Sequence, residues 1–475
     1  MTEANPIPNI LAQRYASSYM KDIWSAKNRI VLERQLWLTI LKAQKELGLD
    51  ISDEAISAYE GHVLNVDLES IRKREAVLKH DVKARIEEFA ALAGFQDIHK
   101  GMTSRDLTEN VEQLQIKQSL ELIRIKLVAA LSRLATLATE YESTVIAGRT
   151  HNVPAQLTTL GKKFANAAEE MLISFDRLED LITRYPLRGI KGPVGTGQDM
   201  VDLFGGDESL LDALEESVIE ELGFETVFDA VGQIYPRSLD YDVVTALVQL
   251  AAGPSSLATS IRLMAGHDLV TEGFVPGQVG SSAMPHKMNA RSCERINGFA
   301  VLLRGYAVMA GDLAGNQWNE GDVSCSVVRR VMLPDAFFAL DGLFETLLTV
   351  LNNFKAFDAV IEKEVEAQLP FLATTKIMMA LVKAGVGRED AHSIVKEHAL
   401  TALNAKRLGE EVDFVAALSA DSRVKLTEAD IRELLSNPLE FVGNSKSQIV
   451  AIVEQIESIA SLYPDAITYS PQEIL

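Results

Sequence analysis

The sequence has few cysteines and no spacing typical of a zinc site. Cys293 and Cys325 are the two cysteines among 475 residues, and neither belongs to a CxxC pair. Two thiols are too few for a disulfide framework, so we expect both to be reduced. His392 and His398 lie six residues apart, which is not the spacing of an HExxH zinc site. These absences argue against a disulfide-stabilised or zinc-dependent fold.

Basic residues are outnumbered by acidic ones. With 46 Lys and Arg against 67 Asp and Glu, the formal net charge is −21, which repels the phosphates of nucleic acids. No apolar run approaches the roughly 18 residues that a membrane span needs, and the start, MTEANPIPNI, is unlike a signal peptide. The composition favours a cytoplasmic protein that binds neither nucleic acid nor membrane, although a local cluster of Arg and Lys can still bind one small phosphate.

Glycine and proline are absent between Gly101 and Gly148, which predicts one long amphipathic helix. Its apolar residues recur at steps of three and four: Leu120, Ile123, Leu127, Leu131, Leu134 and Leu137. Further long helices are predicted from Pro154 onward and over residues 240–263, 291–313 and 333–351. Helices of this length have apolar stripes that other copies of the chain would cover, whereas a monomeric bundle is the alternative.

Strand patterns are scarce, so we predict an all-α fold, an elongated bundle of long helices with smaller N- and C-terminal helical domains. The two candidate strands are TVIAG, before Arg149, and ETVFDAVG, near Phe228. We place the three domains at residues 1–103, 104–355 and 356–475.

One stretch, GQVGSSAMPHKMNARSCER at residues 277–295, concentrates polar chemistry in an otherwise helical chain. Its glycines leave the backbone free, and two serines beside a lysine could supply a nucleophile or a base. The GxSxG elbow of hydrolases is absent, and a linker with incidental serines remains the alternative. Elsewhere, His80 follows a lysine in KHDVKARIEEF, and His151 lies at a bend in GRTHNVPAQLTT, where polar groups can gather.

The segment GSSAMPHKMN resembles the GSSxMPxKxN signature of the fumarase/aspartase superfamily. Other segments resemble the adenylosuccinate lyase family within it, over nearly the whole chain: QRYAS, KHDV, TSRDLTEN, RTHNVPAQLTTLGKK, RGIKGPVGTGQ and LPFLATTKIMMALVKAG. This resemblance implies a helical homotetramer whose active sites each combine loops of three subunits. It further implies a small nucleotide substrate and no metal or organic cofactor.

The reaction that the resemblance implies is β-elimination of fumarate in purine biosynthesis, from succinyl-AMP to give AMP and from SAICAR to give AICAR. A base must remove a proton from the carbon next to a carboxylate, while an acid protonates the departing nitrogen. Charge then builds on that carboxylate, so cations and N–H donors must already point at it. By resemblance Ser281 is the base and His151 the acid, with Ser282 left open as the base. Lys287 would stabilise the serine alkoxide, and His80 would orient the succinyl group or support His151.

Substrate contacts also follow from the resemblance. The residues that resemble the phosphate site are Arg14, Tyr15, Arg295, Ser326 and Arg330. Those that resemble succinyl and base contacts are Thr103, Ser104, Thr158, Gln233, Lys287 and Asn289, and we add Lys79 and Asp81, which flank His80.

The chain departs from the family pattern in three places. Lys79 replaces an arginine that the family commonly has, and Ala290 replaces a proline. Gly321 stands where an arginine contact to the phosphate is expected, and Arg329 or another arginine is a candidate replacement.

Two other functions compete with this interpretation. A sister lyase acting on argininosuccinate, aspartate or fumarate would share the serine loop, but the Arg14–Tyr15 pair and THNVPAQLTT favour a nucleotide substrate. A catalytically silent helical scaffold is the second, although it would have no physical need for His151, Ser281, Lys287 and Asn289 together.

Overall fold

The computed structural model describes residues 7–274, 283–284 and 286–474. The helices of the N-terminal part are α1 (Ile10–Arg14), α2 (Ser18–Ile23), α3 (Ala26–Glu46), α4 (Asp53–His62), α5 (Leu68–Leu78) and α6 (Asp81–Ala93). Those that follow are α7 (Ser104–Glu140), α8 (Leu160–Arg184), α9 (Gln198–Leu203), α10 (Glu208–Leu222), α11 (Ser238–Leu250), α12 (Ala252–Ala265), α13 (Arg291–Leu313) and α14 (Ser324–Asn353). The last are α15 (Asp358–Leu372), α16 (Thr374–Lys383), α17 (Arg388–Arg407), α18 (Phe414–Ser419), α19 (Glu428–Leu434), α20 (Ser445–Leu462) and α21 (Pro464–Thr468), with a 3₁₀ turn at Pro438–Phe441.

Among the described residues, the β-strands form two short antiparallel pairs. Strand β1 (Val145–Thr150) pairs with β2 (Val153–Thr159), and β3 (Val270–Thr271) pairs with β4 (Lys355–Ala356). The predicted all-α class is therefore confirmed.

The predicted long helix is α7, whose 37 residues span about 55 Å at 1.5 Å per residue. It runs parallel to α14, because contacts between the two helices advance together: Arg105 bonds Ser326, Lys126 bonds Asp341 and Arg133 bonds Asn352. Five consecutive residues of α7, 127–131, are completely buried. The middle of α7 is thus a core helix surrounded by others, and its buried surface is wider than the single apolar stripe that the spacing predicted.

The predicted helix start at Pro154 is wrong, because Pro154 lies in β2 opposite Arg149. Helix α8 begins six residues later at Leu160, where the Thr159 side chain accepts a hydrogen bond from the Lys162 N–H and caps the helix. The TVIAG strand is confirmed as β1. The ETVFDAVG strand is wrong, since this segment makes only an isolated bridge between Val227 and Leu187.

Two of the remaining helix predictions need correction, whereas the bounds predicted for α13 agree with the structure. The predicted helix 240–263 is divided at Ala251 into α11 and α12, and Pro254 lies in the first turn of α12, where its missing N–H is tolerated. The helix predicted from Leu333 begins earlier, at Ser324, and continues through Pro334.

By length and composition, the combined stretch Ser238–Ala265 would suffice to cross a bilayer, contrary to the sequence expectation. However, 56% of its most apolar window is buried inside the fold, as is usual for the core helix of a globular protein.

The C-terminal part divides between two apolar cores. Ile377, Leu381, Ile394, Leu418 and Ile431 form a separate cluster. Helices α20 and α21 instead return to the main core, where both contact α7. The C-terminus of the chain is therefore anchored on the central bundle, and the proposed domain boundaries stay predictions.

Candidate active site

The candidate residues fall into separate groups along the bundle, and the first lies at the N-terminal end of α7. Thr103 and Ser104 begin this helix, and the neighbouring Arg105 donates from Nη2 to Ser326 Oγ at 3.0 Å. Gln233 lies in a loop that is bonded to the segment before α14. Its N–H donates to the Glu320 carbonyl at 2.8 Å. The structure therefore brings four predicted contacts, Thr103, Ser104, Gln233 and Ser326, to one end of the bundle.

Asp106 fixes the glycine-rich loop that follows Arg188 against this end. Its Oδ2 accepts from the Thr103 N–H at 2.7 Å, and its Oδ1 accepts from Arg188 Nη1 at 2.5 Å and from the Lys191 and Gly192 N–H groups at 3.0 Å. Both members of the Arg188–Asp106 pair are fully buried. A buried hydrogen-bond network of this kind holds a loop without secondary structure in one conformation.

A buried cluster of charges lies behind the first group. Arg329 bonds Asp240 Oδ2 through Nε and Glu112 Oε2 through Nη1, both at 2.7 Å, and also bonds the Tyr235 hydroxyl. Its side chain is 1% exposed. Burial acts to raise the pKa of Glu109 in this cluster, but Arg329 and the other nearby arginines outweigh burial and lower it to about 2.

Arg329 is therefore fully engaged in the core, and the suggestion that it replaces a phosphate-site arginine at Gly321 is wrong. Gly321 has a φ of 148°, and a Cβ at this position would lie 3.3 Å from the Gln233 Cβ. A backbone of this kind favours glycine. Two arginines that reach the surface at this end are Arg330, which is exposed, and Arg105, which is half-buried. Sequence reasoning missed Arg105, although it lies inside the TSRDLTEN segment.

A second group of candidates surrounds Tyr15, between α1, α13 and α14. The Arg295 guanidinium lies 5.5 Å from the centroid of the Tyr15 ring, and the ring packs edge-on against Phe299. Burial, together with the positive charges of Arg291 and Arg14, lowers the pKa of Arg295. Three neighbouring guanidinium groups therefore favour an anionic ligand at this place.

The segment before α13 adjoins this second group. Lys287 is exposed, and Asn289 is half-buried just before the helix begins. The Glu272 carboxylate accepts from the Ser292 and Cys293 N–H groups at 2.9 and 2.8 Å and so caps α13. Ser281 and Ser282, the two predicted bases, lie outside the described residues.

A third group lies in the β1–β2 hairpin beyond the C-terminal end of α7. His151 and Asn152 form its tip with φ values of 51° and 63°, the conformation of a two-residue type I′ turn. His151 is exposed, whereas Thr158 is half-buried opposite Ile146. Arg149 fixes the hairpin by an ion pair with Glu364 of α15.

His80 caps helix α6 rather than lying within it. Its Nδ1 accepts from the Lys83 N–H at 3.2 Å, and Lys79 ends α5 in the left-handed conformation. Asp81 is ion-paired with Arg85. Burial opposes ionisation of Asp81, but nearby cations, Arg85 first and Arg330 among them, outweigh burial and lower the pKa of Asp81.

His99, which the sequence did not single out, lies near His80. Its Nδ1 accepts from Trp37 Nε1 at 3.0 Å, and burial, together with the nearby His80 and Lys83, lowers its pKa to about 4. The imidazole is therefore neutral at pH 7. No pattern in the sequence distinguished His99 from the other histidines, because its setting depends on the distant Trp37.

Within one chain these groups lie far apart. The 37 residues of α7 place the first group about 55 Å from the helix end that leads to the hairpin. Along α14, Ser326 and Gly342, on which Tyr15 packs, are 16 residues and roughly 24 Å apart. A ligand of nucleotide size cannot contact all three groups of a single chain.

Comparison with known proteins identifies the class of enzyme to which this fold belongs. A family model described as Lyase matches residues 5–305, and one described as Adenylosuccinate lyase C-terminus matches residues 370–452. A solved structure of the 3-carboxy-cis,cis-muconate lactonizing enzyme from Pseudomonas putida superposes with a TM-score of 0.83 over 95% of this chain and 100% of that one, at 19% identity. The fold is thus that of the helical lyases of the fumarase/aspartase superfamily.

Two curated relatives narrow the class. Adenylosuccinate lyase of Saccharomyces cerevisiae is 37% identical over 94% of this chain and 93% of the yeast protein. The enzyme of the same name from Schizosaccharomyces pombe is 37% identical over 81% of each chain. The chain belongs to the adenylosuccinate lyase family.

Proposed function

We propose that this protein eliminates fumarate from succinyl-AMP, giving AMP, and from SAICAR, giving AICAR. The observation that carries the proposal is the cluster of Arg14, Tyr15, Arg291 and Arg295, in a chain of the adenylosuccinate lyase family. Both substrates carry a phosphate and a succinyl group, so a cluster of cations matches the anionic groups that the site must bind.

His151 is the proposed acid, and its place at the exposed hairpin tip suits a group that must reach a substrate held by other elements. Ser281 is the proposed base, with Ser282 as the alternative. Lys287, a few residues further along the chain, would supply positive charge for the serine alkoxide and for the carboxylate on which charge develops.

We also propose that each active site combines the three groups from different copies in a homotetramer. The separation of the groups along the bundle supports this arrangement, since no single chain brings them together. Exposed apolar residues on and next to the central helices support it too: Val301 and Val308 of α13, Val323 just before α14, and Val327 and Val331 of α14. The last three recur every four residues and form one stripe, with Val327 71% exposed, a surface that favours burial against another helix.

The first test is an ultraviolet assay of purified protein with succinyl-AMP, with fumarate measured in the same reaction. AMP and fumarate should appear in equal amounts. Argininosuccinate and aspartate are assayed in parallel, and turnover of either in place of succinyl-AMP would assign a sister lyase. No turnover of any of the three would favour the silent scaffold.

The composite site predicts recovery of activity when two inactive variants are mixed. His151→Asn changes the hairpin group and Gln233→Ala the group at the start of α7, so each variant alone should have greatly reduced activity. If the two residues of one site come from different chains, reassembly of an equal mixture restores about one site in four. If they come from the same chain, every site of the mixture lacks either His151 or Gln233, and the activity of the mixture stays at the level of the separate variants.

A further inference from the structure

A buried ion cluster in the middle of the bundle connects the C-terminus of the chain to the Arg14–Tyr15 segment. Lys126 of α7 is completely buried between two carboxylates of α14. Its ammonium group bonds Asp341, lies 2.6 Å from Glu345 Oε1 and donates to Ser17 Oγ at 3.1 Å. Because two buried carboxylates face one cation, further hydrogen-bond donors are needed to stabilise the cluster.

Those donors come from the two ends of the chain. On Asp341, Oδ2 accepts from the Ser17 N–H at 2.6 Å, and Oδ1 accepts from the Ser17 hydroxyl at 3.2 Å. On Glu345, Oε1 accepts from the Tyr469 hydroxyl, and Oε2 accepts from the Gln472 N–H. All four carboxylate oxygens are therefore satisfied, two by the N-terminal segment and two by the C-terminal tail, residues 469–474.

The tail also contacts the N-terminal segment directly. The Gln472 side-chain oxygen accepts from the Ser18 N–H at 2.7 Å, and its amide nitrogen donates to the Ser18 hydroxyl at 2.8 Å. Ser17 caps α2 and lies two residues after Tyr15. Next to Asp341, Gly342 provides a notch for Tyr15, because a Cβ there would lie 2.9 Å from the Tyr15 carbonyl oxygen.

We propose that Tyr469 and Gln472 are positioning residues, which hold the Arg14–Tyr15 segment in place for the anionic end of the substrate. This inference rests on the proposed function, in which that segment meets the phosphate. The link is mechanical: the tail fixes Glu345 and Ser18, the cluster fixes Ser17, and Ser17 fixes the backbone that carries Arg14 and Tyr15. Substrate affinity then depends on the last residues of the chain, although they do not touch the substrate.

The test compares Tyr469→Phe and Gln472→Ala with a matched control, Tyr463→Phe. Tyr463 also lies beside a cation of α7, with the Arg124 guanidinium 4.9 Å from its ring, and its hydroxyl donates to Glu179 at 2.7 Å. Phenylalanine at either position therefore removes one tyrosine–carboxylate hydrogen bond next to a cation. Only Tyr469 belongs to the cluster that contains Ser17.

We expect Tyr469→Phe, which removes one hydrogen bond, and Gln472→Ala, which removes two, to raise the KM for succinyl-AMP and the inhibition constant of AMP roughly three- to tenfold. The kcat and the inhibition constant of fumarate, which has no phosphate, should stay within about twofold of wild type. Tyr463→Phe should change none of these constants. Equal effects of both tyrosine variants, or unchanged AMP inhibition in Tyr469→Phe, would overturn the proposal.

A double variant tests the route. In an Arg14→Gln background, Tyr469→Phe should raise the AMP inhibition constant by less than about twofold, since coupled residues do not act additively. Full additivity would mean that the tail does not act through Arg14. If wild-type protein does not cleave succinyl-AMP, the proposed function is wrong, and calorimetric titration with AMP on the same variants still tests the link. Wild-type protein that binds no AMP would overturn both.

Discussion

Replacing His151 by asparagine should lower the kcat for succinyl-AMP by about 10²- to 10⁴-fold, the usual contribution of a general acid. Asparagine is the informative substitution because His151 has a φ of 51°, a conformation that asparagine tolerates better than alanine. The hairpin tip then keeps its shape while losing the group that protonates the departing nitrogen. The measurement is steady-state kinetics of purified protein, combined with light scattering to establish the oligomeric state.

His392→Asn serves as the matched control, because His392 is an exposed histidine on α17 and should leave kcat unchanged. Ser281→Ala should abolish turnover as His151→Asn does, whereas Ser282→Ala separates the two candidate bases. A His151→Asn variant with a wild-type kcat would remove His151 from the acid role. Loss of assembly together with activity would instead identify a structural residue.

The central helices were predictable because their spacing carries the information locally. The absence of Gly and Pro between Gly101 and Gly148 predicted α7, and the bounds predicted for α13 agree with the structure. The β1–β2 hairpin was missed in part, because Pro154 is favoured both at a helix start and in an edge strand. The side-chain cap at Thr159, five residues after Pro154, marks where helix α8 begins and leaves Pro154 in strand β2.

The candidate site was only partly predictable for a different reason. Motif segments identify residue types, but the roles of Arg329 and Arg105 depend on partners that are between 89 and 221 positions away in the sequence. Arg329 is engaged by Asp240 and Glu112, whereas Arg105 extends to Ser326. The Lys126 cluster could not be predicted from the sequence for the same reason, since the residues that form it come from α7, from α14 and from both ends of the chain.

The adjacent arginines of α14, Arg329 and Arg330, should affect different properties when each is replaced by methionine: the first replacement should lower stability, and the second should raise the KM. Arg329→Met leaves the buried Asp240 carboxylate without its cation, and removal of one partner from a buried ion pair costs about 3–5 kcal/mol of unfolding free energy. Arg330 is exposed, so Arg330→Met should change the unfolding free energy by less than about 0.5 kcal/mol. Denaturant unfolding at one fixed protein concentration measures both, because assembly contributes to stability.

Kinetics complete the comparison. If Arg330 contacts the phosphate, as the family resemblance implies, Arg330→Met should raise the KM for succinyl-AMP although the protein is as stable as wild type. Arg329→Met is the control for indirect effects, because its buried guanidinium has no route to the substrate; the fraction that stays folded should keep a wild-type KM. A raised KM in folded Arg329→Met protein would return Arg329 to the phosphate site and contradict its assignment to the core. Equal losses of stability in both variants would contradict the burial that distinguishes the two arginines.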